Sequence, residues 1–277
     1  VLEDQSYETA EKVDRKIREG KNINVLQGIP VAVKDNILVE GVKATAGSKI
    51  LSDYIATYSA TAIEKLKKQD AIIIGKTNMD EFAMGSSGEN SYHGPTKNPC
   101  DLSKVPGGSS SGSAAAVAGN ETIYALGSDT GGSVRQPAAL CGIVGFKPTY
   151  GRVSRHGLMA MASSLDQIGT LTKTVKDAAY VFESIAGIDK YDSTTVDKKA
   201  VVIANLENSI KGLKIGVPKE FFIKGMDENI ELSVKSAIKK LSKLGAEIIE
   251  VSLPRVKYSL AAYYILMPAE VSANLSR

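Results

Sequence analysis

An α/β fold is what this sequence predicts, and three observations carry the prediction. A helical stretch at 57–69 runs directly into a short apolar run, Ala71-Ile72-Ile73-Ile74, which is the helix-then-strand alternation of α/β proteins. Further along, 213–217, 230–244 and 248–253 read as strand, helix and strand. Such a βαβ unit pairs two parallel strands through a right-handed crossover. The composition is globular: of 277 residues, 43% are hydrophobic and 23% charged, which excludes a disordered or fibrous chain.

The elements follow in order. Residues 7–18 place Ala10, Val13 and Ile17 between charges at helical spacing, so an amphipathic helix with one narrow apolar stripe is expected. Residues 28–35 hold the β-branched run Ile29-Pro30-Val31-Ala32-Val33 before Lys34-Asp35, a buried strand ending in charge. The 71–74 strand is short and apolar enough to be covered on both faces, as in a parallel or mixed sheet. From Met84 to Gly112, Gly, Ser, Asn and Pro take over, with turn signals at Asn98-Pro99 and Val105-Pro106-Gly107-Gly108. Disorder is one reading of so long a loop. The stretches that follow, 114–118 and 123–126, are too apolar for solvent, so an ordered and functional loop is expected. Thr174 opens a helix with Val175, Ala178, Ala179, Phe182, Ile185 and Ala186 on one face; Asp177 stands in capping-box position and Gly187 can end it. Residues 189–209 are polar and irregular, a surface excursion.

Composition also narrows function. With 34 Lys+Arg against 31 Asp+Glu the net charge is +3, no concentrated basic field, so nucleic acid is not indicated as a direct ligand. No apolar run approaches the roughly 20 residues that cross a bilayer, and the start is acidic rather than a basic leader, so neither membrane insertion nor secretion is supported. Cys100 and Cys141 lack CxxC spacing and read as reduced thiols of a cytoplasmic protein. Only two histidines occur, His93 and His156, far apart, which leaves little material for a metal site or a Ser-His-Asp triad. Gly75-Lys76-Thr77 resembles the end of a phosphate loop, but the required earlier Gly is Asp70, and no Gly-x-Gly pair supports a dinucleotide site. The chain begins at Val1 and ends at Arg277 after an apolar segment with no clear cap, which suggests a fragment.

The informative region is the pair of runs Gly107-Gly108-Ser109-Ser110-Ser111-Gly112-Ser113 and Gly127-Ser128-Asp129-Thr130-Gly131-Gly132-Ser133. A Gly/Ser run alone is most often a flexible linker. Two of them, each bounded by apolar segments, fit a nest of backbone N–H groups, since glycines without Cβ let successive amides converge on an anion. A serine at such a nest has an oxyanion hole beside it, yet its hydroxyl needs a base. With histidine scarce, a lysine whose pKa is lowered by burial from about 10.4 is the next candidate. Lys34, considered alone, would simply reach solvent from its strand end.

The set Lys34-Asp35-Asn36, Pro106-Gly107-Gly108-Ser109-Ser110, 129–135 (Asp-Thr-Gly-Gly-Ser-Val-Arg) and 141–149 (Cys-Gly-Ile-Val-Gly-Phe-Lys-Pro-Thr) resembles the amidase signature family. Ser109 precedes Ser133 by 24 positions and follows Lys34 by 75, both as in the family's pattern. The likeness covers nearly the whole chain and extends to 76–82. It implies an α/β amidase signature fold, a mixed central sheet sandwiched between helices, as one domain over 1–277 that is truncated at both ends. It also implies a Ser–Ser–Lys triad: Ser133 the nucleophile, Ser109 the relay after a cis Gly108–Ser109 bond, and Lys34 the base. The N–H groups of Thr130, Gly131, Gly132 and Ser133 would form the oxyanion hole, with Asp129 and Arg135 pairing to hold the loop and no metal required. One departure is Ser111, where the family has Gly. If that site needs positive φ, strain of about 1 kcal/mol would misplace Ser109.

Within the family, the closing segment Ser259–Leu275 and the loop 80–85 are similar to the glutamine-hydrolysing amidotransferase subunits that serve glutaminyl-tRNA formation. The implied function is release of ammonia from glutamine for conversion of Glu-tRNA(Gln) to Gln-tRNA(Gln). No cofactor is expected in this chain; ATP and Mg²⁺ belong to a partner, subunits B and C are the expected partners, and tRNA is met mainly through them. Tyr264 is expected to line the glutamine pocket, while the groups gripping the glutamine carboxylate and ammonium lie outside this sequence. The alternatives are a stand-alone amidase for small acyl amides and an inactive scaffold protein.

Overall fold

The computed structural model describes residues 1–276. Its chain order is α1 (Glu3–Arg18), β1 (Pro30–Lys34), α2 (Thr61–Lys67), β2 (Ile72–Thr77), α3 (Ser111–Ala118), β3 (Tyr124–Asp129), α4 (Arg135–Leu140), β4 (Val144–Phe146), β5 (Gln167–Thr172), α5 (Val175–Ile185), β6 (Lys214–Pro218), α6 (Glu228–Lys243), β7 (Glu247–Val251) and α7 (Ser259–Leu275). Two compact units result: residues 1–203 with the end of α7, and residues 204–268.

The first unit is built on a five-stranded sheet in the order β2-β1-β3-β5-β4. Strands β2, β1 and β3 are parallel, and β5 runs antiparallel to both β3 and β4, so the sheet is mixed as expected. Strand residues alternate between faces. Val31, Val33, Tyr124, Leu126 and Ile168 pack with Ile63 and Leu66 of α2 and with Val181, Phe182 and Ile185 of α5. Ala32, Ala125 and Leu171 pack against Ala114 and Val117 of α3 and Val134 and Ala138 around α4. Helices therefore cover both faces, and the parity that sends Ala32 toward α3 sends Lys34 the same way. The register pairs Val33 with Leu126, which brings the C-terminal ends of β1 and β3 side by side.

Several boundaries differ from expectation for tertiary reasons. Helix α2 starts at Thr61 rather than 57, because Ser59 Oγ accepts from Glu40 N (3.0 Å) and Ala60 N donates to Leu38 O (2.9 Å), tying the preceding turn to another loop. Strand β2 continues through Thr77, since Lys76 and Thr77 pair with Val33 and Lys34. Lys76 itself meets Asp35 at 3.0 Å, so the Gly-Lys-Thr run is strand. In α5 the Thr174 hydroxyl accepts from Asp177 N as the capping box requires, but Val175 is exposed and Val181 takes the buried place. The polar excursion is anchored where it begins: Asp189 accepts from Thr61 and Ser154, and Asp192 pairs with Arg155 at 3.0 Å.

In the second unit β6 and β7 pair in parallel around α6, the βαβ arrangement anticipated from the sequence. Ala246 is its buried hydrophobic residue; Ile230, Leu232 and Val234 of α6 are exposed. No helix among the described residues is long and apolar enough to cross a membrane.

Candidate active site

Lys34 ends β1 and is fully buried. Its Nζ lies 2.7 Å from Ser109 Oγ, 2.9 Å from Ser128 Oγ and 3.3 Å from Ser128 O. The head thus turns inward to hydroxyls instead of reaching solvent. Burial pushes its pKa down to about 7, and the carboxylates of Asp129, Asp166 and Asp80 act against that fall. A lysine in this setting exchanges protons near neutrality.

Ser109, which meets the lysine, and Ser133 lie on separate segments that the backbone joins: Ser110 N donates to Ser133 O (3.2 Å). Ser109 is fully buried and Ser133 is 9% exposed. The Gly108–Ser109 peptide is cis, as the resemblance implies. A Cβ at 108 would stand 2.0 Å from Asp80 Oδ2, so any side chain there would have to displace the Asp80 carboxylate. Asp80 accepts from Gly88 N and Asn90 N, and Gln136 accepts from Gly108 N (2.9 Å) while donating to Ser86 O (2.9 Å). The long Gly/Ser/Asn loop is therefore folded around Ser109.

The turn carrying Ser133 is braced by Asp129 at the end of β3. Burial works to raise the Asp129 carboxyl, and the Arg135 guanidinium with the backbone amides outweighs it, so the group titrates below the usual carboxylate range. Its oxygens accept from Gly132 N (2.8 Å), Val134 N (3.1 Å) and both Arg135 Nε (3.0 Å) and Arg135 Nη2 (2.9 Å). Of the four amides expected around an oxyanion, Gly132 is thus engaged by Asp129. The N–H groups of Gly131 and Ser133 meet no acceptor among the described residues. Thr130 Oγ1 donates to Asp166 Oδ1 (2.6 Å).

Sequence reading missed Ser128 and Asn36. Ser128 Oγ accepts from Lys34 Nζ and from Asn36 Nδ2 (2.9 Å), and Ser110 Oγ donates to Ser128 O (3.1 Å). The available signal was Asn36 beside the motif lysine and the small residue between Gly127 and Asp129. Ser111 corrects an expectation: it takes helical φ as the first residue of α3, so no left-handed strain arises. Its hydroxyl lies 3.1 Å from Thr96 Oγ1, and its Cβ packs where a side chain on Gly88 would clash, at 2.5 Å. Tyr264 lies on α7 in the second unit, exposed, its ring edge-on to Tyr263 at 5.7 Å. The two histidines serve elsewhere, His93 on Thr45 and His156 stacked between Tyr58 and Tyr191. Among the described residues no group of three His, Cys, Asp or Glu side chains could hold a metal.

The amidase family model matches residues 1–277. The A-subunit of glutamyl-tRNA(Gln) amidotransferase from Fusobacterium nucleatum is 58% identical over all of this chain, and that from Carboxydothermus hydrogenoformans 56%. The chain spans 57% of the length of each of these relatives. The crystal structure of the corresponding amidotransferase A-subunit from Thermotoga maritima superposes with a TM-score of 0.88 at 46% identity, covering 99% of this chain and 64% of that one. A peptide amidase from Stenotrophomonas maltophilia superposes equally well, TM-score 0.88, at 33% identity, covering 98% of this chain and 57% of its own.

Proposed function

The chain belongs to the amidase family, and we propose that it is the ammonia-generating part of a glutamyl-tRNA(Gln) amidotransferase, within the A-type polypeptide, using Lys34, Ser109 and Ser133 as a catalytic triad. The observation that carries the chemistry is the buried lysine with its amine 2.7 Å from the Ser109 hydroxyl. Neutral Lys34 accepts the Ser109 proton as Ser109 takes the proton of Ser133. The freed Ser133 oxygen then attacks the side-chain amide carbon of glutamine. The carbonyl oxygen becomes negative and is received at the 130–133 turn by the unused N–H groups of Gly131 and Ser133, while Gly132 braces the turn through Asp129. The proton returns through Ser109 to the leaving nitrogen, the C–N bond breaks, and ammonia departs. Water then hydrolyses the glutamyl ester on Ser133 by the same relay and releases glutamate.

The higher identity to the amidotransferase polypeptides than to the peptide amidase, 58% against 33%, favours glutamine over small acyl amides. On this reading the ammonia passes to partner subunits B and C, where ATP and Mg²⁺ activate Glu-tRNA(Gln), in keeping with a net charge of only +3 here. The test is glutamine-dependent ammonia release by the full-length protein with its partner subunits. Release that Ser133→Ala abolishes is the expected result. Release from simple amides but not from glutamine would overturn the amidotransferase reading, and inactivity of the folded protein on both would leave the scaffold alternative standing.

A further inference from the structure

A mechanism in which Lys34 gains a proton creates a positive charge in the buried interior, and such a charge needs a balancing anion. The ionisable groups facing Lys34 are Asp129 on β3, Asp80 at the loop around Ser109, and Asp166 just before β5. Asp129 is already neutralised by the Arg135 guanidinium at 2.9 Å. Asp80 is without an ion pair among the described residues, but it accepts only the backbone amides of Gly88 and Asn90, whereas Asp166 also grips the turn that bears Ser133. It is 3% exposed, forms no ion pair among the described residues, and accepts three neutral donors: Thr130 Oγ1 at 2.6 Å, Met161 N at 2.9 Å and Ala162 N at 3.1 Å. Burial raises the pKa of its carboxyl, while the Thr130 hydroxyl, the Met161 and Ala162 amides and the Lys34 charge act against that rise, and Arg155 faces it as well.

Resting on the amidase reading above, we propose that Asp166 is a positioning residue of this reaction. It tethers Thr130, and with it the turn that bears Ser133, to the 161–166 segment, and it supplies buried negative charge that balances Lys34 once the lysine is protonated. The hydrogen bonds carry the tether and fix where the carboxylate sits. Thr130 is the first residue after β3, so fixing its hydroxyl fixes the entry to the Gly131–Gly132 turn opposite the grip of Asp129. The 161–162 amides hold the other carboxylate oxygen, leaving the side chain no freedom to turn away.

The sign of the effect is fixed. The base must be neutral, so the rate rises with pH through the Lys34 pKa of about 7; an anion nearby holds that value up, and its removal moves the limb to lower pH. The measurement is the pH dependence of fluorophosphonate labelling of Ser133, read by intact mass on the full-length protein with its partner subunits, beside ammonia release from glutamine. Labelling needs the activated serine but no amide, so it reads the limb whatever the natural substrate. In Asp166→Asn the limb should fall by roughly 1 pH unit, the order that one buried charge exerts at an effective dielectric near 20. In Thr130→Val the rate should drop roughly ten- to a hundredfold at every pH with the limb unmoved, and Thr130→Ser should restore it. Should Asp166→Asn fail to fold, the Thr130 pair still decides the tether. A limb unmoved in Asp166→Asn, or a Thr130→Val enzyme with full rate, overturns the proposal. Wild-type labelling without glutamine hydrolysis would sink the substrate assignment and leave this inference testable, whereas no labelling of wild-type Ser133 overturns both.

Discussion

A protonated lysine at position 34 would be among the most costly groups in the molecule, and the fold keeps the proton off it at the expense of stability. The unfolded lysine holds its proton up to about 10.5, the folded one only to about 7. Between those values the unfolded chain binds the more protons, so the Lys34 contribution makes stability rise with pH and erodes it as pH falls toward neutrality. Lys34→Met removes that linkage. Its melting temperature, relative to wild type, is expected to be higher near pH 7 than near pH 10, with ammonia release abolished. A difference in melting temperature that does not change with pH would show that the lysine is not held neutral. At this scale the sequence was legible in part. Lys34, Ser109 and Ser133 stood out through spacing against a known pattern, and the structure does bring Lys34 and Ser109 into contact. Ser128, Asn36 and Asp166 did not, because their roles depend on which strands adjoin, and nothing local to Ser128 says that β1 lies beside it.

At the scale of elements, the helices whose ends carry their own chemistry were legible and those set by distant contacts were not. Helix α5 begins at Thr174 because its side chain caps Asp177 N, a local signal. Helix α2 begins where Ser59 and Ala60 are tied to residues 38–40, a signal invisible along the chain. Helix α3 shows the same contrast at one residue. The glycine expected at 111 suggested a left-handed site, but Ser111 is an ordinary first helical residue whose hydroxyl faces Thr96. Ser111→Gly is therefore expected to destabilise the protein by about 0.5–1 kcal/mol, through the weaker helix propensity of glycine, with kcat for ammonia release unchanged. The check is denaturant unfolding beside the glutamine assay. A faster enzyme would mean that Ser111 does displace Ser109.

For the whole molecule, burial is distributed unevenly between the two units, and this predicts where the chain opens first. Strands β3 and β5 are buried at every residue and β1 at all but its first, with helices on both faces. Strands β6 and β7 form a two-stranded sheet in which no residue is fully buried, and α6, although capped by Asp227, buries none of its residues either. A two-stranded sheet with little apolar surface removed from water is marginal on its own, because ordering its backbone costs about 1–2 kcal/mol per residue against a small hydrophobic gain. Local opening free energies follow such differences. In native-state hydrogen exchange on this 277-residue chain, the β6 and β7 amides are expected to exchange by local opening, at least about tenfold faster than those of β1 and β3, which should exchange near the global unfolding limit. Equal protection in the two sheets would mean that residues 204–268 are stabilised by more than the burial within their own unit provides. Lys34 ends β1, and Ser109 and Ser133 lie in the first unit just before α3 and just after β3, so Ser133 labelling should survive denaturant concentrations at which β6 and β7 have already lost protection.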